Sequence, residues 1–343
     1  MRNYFPALDS LRFFASINIV LLHFSSSSLL TYAKGTFFWQ VVEARYFSTN
    51  VFFLLSGFIF SILFSRQDKV PKLKPFLKKR FWRLYPLHIT CTLIFFAITI
   101  YRTNLLDNTA YALKTLALHI SLLWAFVPEL GHPLNRPSWA LSVFFLCYAL
   151  TPAFAAFLNR QGKKSLWLLF FGTWIITFLA CLHFEELPNI FRSINFFSGM
   201  LLGKLFINKH IPLPKKALQN DLFLLLAAVL LYVNVCYLRQ VSTGLAYHIV
   251  SPVLYCCLLI FLANDKGIIV KMLSLSWLRA VGKASFYTYL LHGVVIEILH
   301  LYLDKVAHWK YNCFNNPLAT VVIMVLLYGG CTVYSQFKVK GKK

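Results

Sequence analysis

Apolar residues in this chain do not alternate as in a half-buried strand, nor form the narrow stripe of a surface helix; they come in long, nearly unbroken blocks. A membrane-spanning helix needs about 20 mostly apolar residues. Ten blocks qualify, at 11–30, 46–65, 85–101, 140–158, 165–183, 193–207, 221–238, 245–263, 285–303 and 317–336. The pattern therefore predicts an all-α, polytopic membrane helical bundle, and the even count puts both termini on one side. The segment 111–127 is also apolar, but Lys114 and His119 interrupt it and Pro128, Pro133 and Pro137 follow. It is expected to be an interfacial or re-entrant helix, with a full span as the alternative.

Composition agrees. Hydrophobic residues make up 59%, charged residues 13%, and the 34 Phe among 17% aromatics would leave large sticky patches on a soluble fold. Mean hydropathy is +0.65. The net charge of +23 would suggest nucleic acid in a soluble chain, but here the Lys and Arg gather in alternate loops, as insertion itself demands. Most lie on the side holding Arg2, the run from Arg66 to Arg83, and the tail from Lys338 to Lys343. That side is expected to be cytoplasmic, which places both termini and 66–84 inside a bacterial inner membrane and 102–139 and 304–316 across it. Nucleic acid is not an expected partner, whereas membrane lipid is. Neither a repeat nor a soluble appendage interrupts the pattern, so 1–343 reads as a single membrane domain with its first helix retained. The eight Cys show no CxxC pair and no Cys/His cluster at zinc spacing, so neither a metal nor structural disulfides are expected.

Polar residues inside the apolar blocks are where chemistry would sit. Arg12 and His23 are eleven residues apart on the first helix, nearly the same azimuth and about 16 Å along the axis. Ser16 and Ser27 extend the same stripe. Arg12 alone would be explained by snorkelling at the boundary, but His23 has no cheap route to water and is expected to face a cavity. Arg80 and Arg83, i,i+3 at the mouth of the third helix, offer two guanidinium forks to phosphate, as a CoA thioester or nucleotide would bring. Asn50 to Phe58 includes Ser56-Gly57, which packing explains as well as function does. Ser285, Tyr289 and His292 share a face of a later helix and put a second histidine inside the bundle, as a base or as a packing contact.

Taken together, Leu8-Asp9-Ser10-Leu11-Arg12 with His23, Phe52 to Phe58, Arg80-x-x-Arg83-x-x-Pro86, Pro137-Ser138-Trp139-Ala140-Leu141-Ser142, and Gly282-x-x-Ser285-x-x-x-Tyr289-Leu290-x-His292 resemble the acyltransferase-3 family of integral membrane acyltransferases. The resemblance implies a ten-helix fold that takes acetyl from cytoplasmic acetyl-CoA to a hydroxyl of an envelope glycan or glycolipid. It makes Arg12 and His23 the functional pair and associates Arg80 and Arg83 with the donor. Two positions depart from the pattern: Phe144 stands where the family typically has Glu, and Asn50 where many relatives have Asp. A catalytically altered acyltransferase is the alternative these departures raise.

On this reading acetyl-CoA docks against Arg80, Arg83 and neighbouring lysines, Arg12 guides the donor, and the thioester reaches His23 along the polar stripe. His23 is then a general base on the acceptor hydroxyl or, equally open, a nucleophile that carries acetyl transiently. A transporter of a lipid-linked sugar is the rival class, with Arg12 and His23 as substrate contacts in its path.

Overall fold

In the computed structural model, residues 4–36, 38–39, 42, 47–103, 105–127, 134–184, 189–238, 241–307 and 312–340 are described. Arg2, Arg45, Arg239, Lys310, Lys342 and Lys343, which entered the charge asymmetry, lie outside them, as do Pro128 and Pro133. The described residues form helices, turns and loops, with no strand among them. The helices are α1 (Pro6–Ser26), α2 (Phe47–Leu63), α3 (Leu73–Arg102), α4 (Thr109–Ile120), α5 (Trp139–Leu158), α6 (Lys163–His183), α7 (Arg192–Ile207), α8 (Ala217–Val233), α9 (Ser251–Ala263), α10 (Ile268–Leu273), α11 (Ser276–Tyr302) and α12 (Pro317–Lys340). Nine are long and apolar enough to cross a bilayer, some with a short 3-10 or π turn attached, and α2 is a shorter apolar helix. Together they match the ten predicted blocks, and the chain is an integral membrane protein.

Three boundaries differ from expectation. The helix drawn at 11–30 is α1 at 6–26, because Pro6 supplies the fixed φ that suits a first turn. Arg12 thus sits in its second turn and His23 in its last. The third helix begins at Leu73 rather than 85, so Lys74, Lys78, Lys79, Arg80 and Arg83 lie on its first turns and not in a loop or at its mouth. Their charge ends the apolar block, but Lys and Arg are good helix formers and the backbone simply continues. The segment 111–127 is the 12-residue α4 followed by a turn. At about 18 Å it cannot cross a core of roughly 30 Å, which removes the full-span alternative.

The tightest seam joins α2 and α7. A Cβ at Gly57 would lie 1.8 Å from the Phe196 carbonyl oxygen, and one at Gly199 2.1 Å from that of Leu54, so only glycine allows this backbone contact. Gly203 completes a small-xxx-small spacing against Phe58. A second seam sets α11 on α1, where a Cβ at Gly282 would lie 1.8 Å from the Asp9 carbonyl. At one end of the bundle Lys204 donates to the Ser65 carbonyl at 2.8 Å and to Asn159 Oδ1 at 2.6 Å, pinning the α2–α3 turn to the end of α5. At the other end Arg102 of α3 bridges Glu297 at 2.8 Å and Asp304 at 2.9 Å, tying α3 to the far end of α11.

Candidate active site

These seams enclose a cavity of about 290 Å³ between α1, α2, α3, α5 and α11. Its wall carries Arg12, Arg80, Arg83 and Lys283, facing an apolar lining that includes Phe53, Phe144, Tyr148 and Tyr289. Guanidinium groups beside aromatic faces form a surface suited to phosphates and a planar ring.

Its cations are not equivalent. Arg12 Nη1 is fixed on Asp9 Oδ1 at 2.9 Å, and the other carboxylate oxygen accepts from the Tyr4 hydroxyl at 2.7 Å. Asp9 itself is buried, so the pair is held rigidly on the first turns of α1. The Arg80 guanidinium lies over Phe60 at 4.7 Å, Phe76 at 5.1 Å and Tyr148 at 5.9 Å, an aromatic cage that immobilises it. Arg83, one turn on, is exposed. The expected pair of forks is therefore one caged and one exposed guanidinium.

The polar stripe expected on α1 is broken. Ser16 is fully buried in the α12 contact, 2.9 Å from the Tyr328 hydroxyl, and Ser27 lies beyond the helix with its carbonyl facing His300 Nε2 at 3.1 Å. What connects the two ends is the face of α11. Ser285 and Tyr289 line the cavity, the Tyr289 ring is 5.9 Å from the His292 ring, and the His292 ring is 5.0 Å from that of His23. His292 is buried, with Nδ1 3.3 Å from the Thr288 carbonyl. His23, in the last turn of α1, is half-buried. The two motif histidines thus form one pair, with Tyr289 between them and the cavity.

The remaining predicted residues divide between the cavity wall and the packing around it. Asn50 is buried outside the cavity: its Oδ1 accepts from Arg192 at 2.7 Å and Asn195 at 3.2 Å, while Nδ2 donates to the Tyr247 carbonyl at 2.8 Å. It ties α2 to α7 and to the turn before α9, a structural role. Ser138 builds the turn before α5, donating to the Asn135 carbonyl at 2.7 Å and accepting from Trp124 Nε1 at 3.0 Å. Trp139 stacks on Phe53 at 6.1 Å. Phe144 lines the cavity, its ring parallel to Phe53 at 4.2 Å. A carboxylate at that position would look onto the same cations.

Sequence reasoning missed Tyr148, Lys283 and the Asn135 turn. Tyr148 could have been found at i+4 from Phe144, whereas Asn135 is a single residue in a loop, with no periodic signal.

The acyltransferase domain family (Acyl_transf_3) matches residues 5–336. The chain belongs to this family. It is similar to the acyltransferase MdmB of Streptomyces mycarofaciens, 26% identical over 230 residues, covering 66% of this chain and 57% of that protein. It is also similar to the O-acetyltransferase OatA of Staphylococcus aureus strain NCTC 8325 / PS 47, 23% identical over 329 residues, covering 87% of this chain and 52% of that protein. The chain therefore spans little more than half the length of these curated relatives. No solved structure gives a significant match.

Proposed function

We propose that this family member is a membrane O-acyltransferase that moves acetyl from cytoplasmic acetyl-CoA to a hydroxyl of an envelope glycan or glycolipid. The observation that carries the reading is the continuity along α11, from a cavity lined by Arg12, Arg80, Arg83 and Lys283, past Tyr289, to the His292–His23 pair. The cavity matches an anionic, ring-bearing donor, and the histidines match proton transfer at neutral pH. MdmB and OatA bear the names of an acyltransferase and an O-acetyltransferase, which agrees with this class of chemistry.

Arg83, exposed, captures donor phosphates; Arg80, caged, holds a fixed positive charge behind it. Arg12, clamped by Asp9, marks the inner limit of the cationic wall. In direct transfer, an imidazole nitrogen of His23 takes the proton of the acceptor hydroxyl as its oxygen attacks the thioester carbonyl. The carbon–sulfur bond then breaks, and the CoA thiolate leaves and is protonated. A positioned base of this kind is worth about 10²–10⁴ in rate. In the two-step version His23 attacks the thioester first and the acceptor then removes acetyl from it. Both versions need the base and the donor wall in the places described.

The test is mass spectrometry of membrane acceptors after incubation of the full chain in vesicles with labelled acetyl-CoA. An acetyl mass increment that disappears in His23→Ala is expected. Wild-type vesicles that leave every acceptor without the increment would overturn the reading in favour of transport.

A further inference from the structure

We propose that Asn135 and His292 form a subsite for a neutral, hydroxyl-bearing acceptor, a polyol rather than an anion; this rests on the acyltransferase reading above. Asn135 is fully buried, and neither its Nδ2 nor its Oδ1 has a partner among the described residues. Buried amides are nearly always paired, and an unmade buried hydrogen bond costs about 1–3 kcal/mol.

The turn around this side chain is held from several sides. Leu134 N donates to His119 Nε2 at 3.1 Å, Ser138 Oγ donates to the Asn135 carbonyl at 2.7 Å, and the Tyr289 hydroxyl donates to the Pro137 carbonyl at 2.7 Å. Every one of these bonds anchors the main chain or a neighbour and leaves the amide unspent.

This amide looks onto α11 at Gly293, the residue after His292. Gly293 leaves room for it, since a Cβ there would lie 3.4 Å from Asn135 Oδ1 and 3.0 Å from the Phe95 ring. On the adjoining residue, His292 Nδ1 faces the Thr288 carbonyl and donates to it, which leaves Nε2 as a bare acceptor; it is buried and unpartnered. The same corner, where α3 and α4 meet this turn, holds three further buried and unpartnered atoms: His88 Nδ1, Thr92 Oγ1 and Thr115 Oγ1.

An amide with one free donor and one free acceptor selects its ligand by chemistry. A hydroxyl answers both, donating to Oδ1 and accepting from Nδ2, and a neighbouring hydroxyl has His292 Nε2 to donate to. Carboxylate and fully ionised phosphate have no proton to give Oδ1 or Nε2, and the neighbouring cation of the turn, Arg136, is exposed while the Asn135 amide is buried. The cationic cavity on the other side of Tyr289 is where anions belong.

The test uses vesicles carrying the full chain, labelled acetyl-CoA, the membrane's own acceptors, and methyl β-glucoside as the hydroxyl probe. The control is the per-O-methylated glucoside, which keeps the ring and has no O–H. Methyl β-glucoside is expected to compete with the endogenous acceptor and to take up acetyl; the control is expected to do neither. Asn135→Asp, nearly isosteric but lacking the Nδ2 donor, should raise the competing concentration at least tenfold without changing acetyl-CoA affinity, and Asn135→Leu should raise it further. Competition by both compounds alike, by neither, or an Asn135→Asp protein that matches wild type would overturn the proposal. Wild-type vesicles that form no ester on any acceptor would instead count against the acyltransferase reading.

Discussion

Alanine at Arg83 and alanine at Arg80 should have different consequences, although the two residues are one helical turn apart. Arg83 is exposed, so its removal disturbs little packing. A charge-assisted hydrogen bond to phosphate is worth about 1.5–3 kcal/mol, and screening at an exposed site favours the lower end, roughly a tenfold loss of donor affinity. Arg80 lies between Phe60, Phe76 and Tyr148 within 4.7–5.9 Å. A desolvated cation–π contact is worth about 2 kcal/mol, so Arg80→Ala should lower stability as well as affinity. The assay is acetyl-CoA binding to detergent-purified protein at two salt concentrations, beside a thermal melt. Arg83→Ala should weaken binding, flatten its salt dependence and leave the melting midpoint in place, while Arg80→Ala should lower both affinity and midpoint. An unchanged midpoint for Arg80→Ala, or a lowered one for Arg83→Ala alone, would refute the division into caged and exposed guanidinium.

Other outcomes follow from the same geometry. Gly282→Ala places a methyl 1.8 Å from the Asp9 carbonyl and should destabilise by about 1–3 kcal/mol or more, read as a lower melting midpoint and weaker donor binding through the displaced Arg12. Phe144→Glu should raise acetyl transfer by putting a carboxylate in the cavity, at the cost of the Phe53 stack, about 0.5–1.5 kcal/mol; equal transfer from equal amounts of protein would show the ring to be a tolerated wall. Outside the spans, burial pulls the His119 imidazole from 6.5 down to about 4, so it stays neutral and accepts from Leu134 N. Its contribution to stability is complete above pH 6.5 and is lost as pH falls through about 4, so the melting midpoint should drop over that window in wild type and less in His119→Asn. Asp68→Cys as the single Cys of a Cys-free background, on the exposed α2–α3 turn, should react with an impermeant thiol reagent only after cells are opened; labelling of intact cells would reverse the topology.

Helices were legible because a bilayer demands continuous apolar length, and that demand is written directly in the chain. Their ends were less so: Lys74 to Arg83 terminate the hydropathy signal without terminating the backbone hydrogen bonds, and α3 runs twelve residues further than the apolar block. In the site, Arg12, His23 and His292 stood out as polar residues in apolar blocks, and Arg80 and Arg83 as an i,i+3 pair in the basic run before the third block. Their arrangement did not, because pairing is decided by which helices touch. Ser16 shares the azimuth of Arg12, yet it is spent on Tyr328 of α12, while Tyr289 and His292 of α11 take its place beside the cavity and His23. Asn50 and Ser138 looked chemical as motif members and turn out to hold helices and a turn in place.

The glycine seam between α2 and α7 also bears on how fast the proposed donor would be captured. Two helices whose main chains touch have no side-chain layer to shear, so they move through the membrane as a single stiff plank. The opposite wall is hung differently: α3 is moored at its far end by Arg102 to Glu297 and Asp304, and its basic near half reaches the cavity mouth. A widening of the cavity by a swing of α3 would displace surrounding lipid, because most of that helix is not buried in the protein. On the proposed function, donor capture should then slow as acyl chains stiffen, while the chemistry proposed for His23 should keep its own pace.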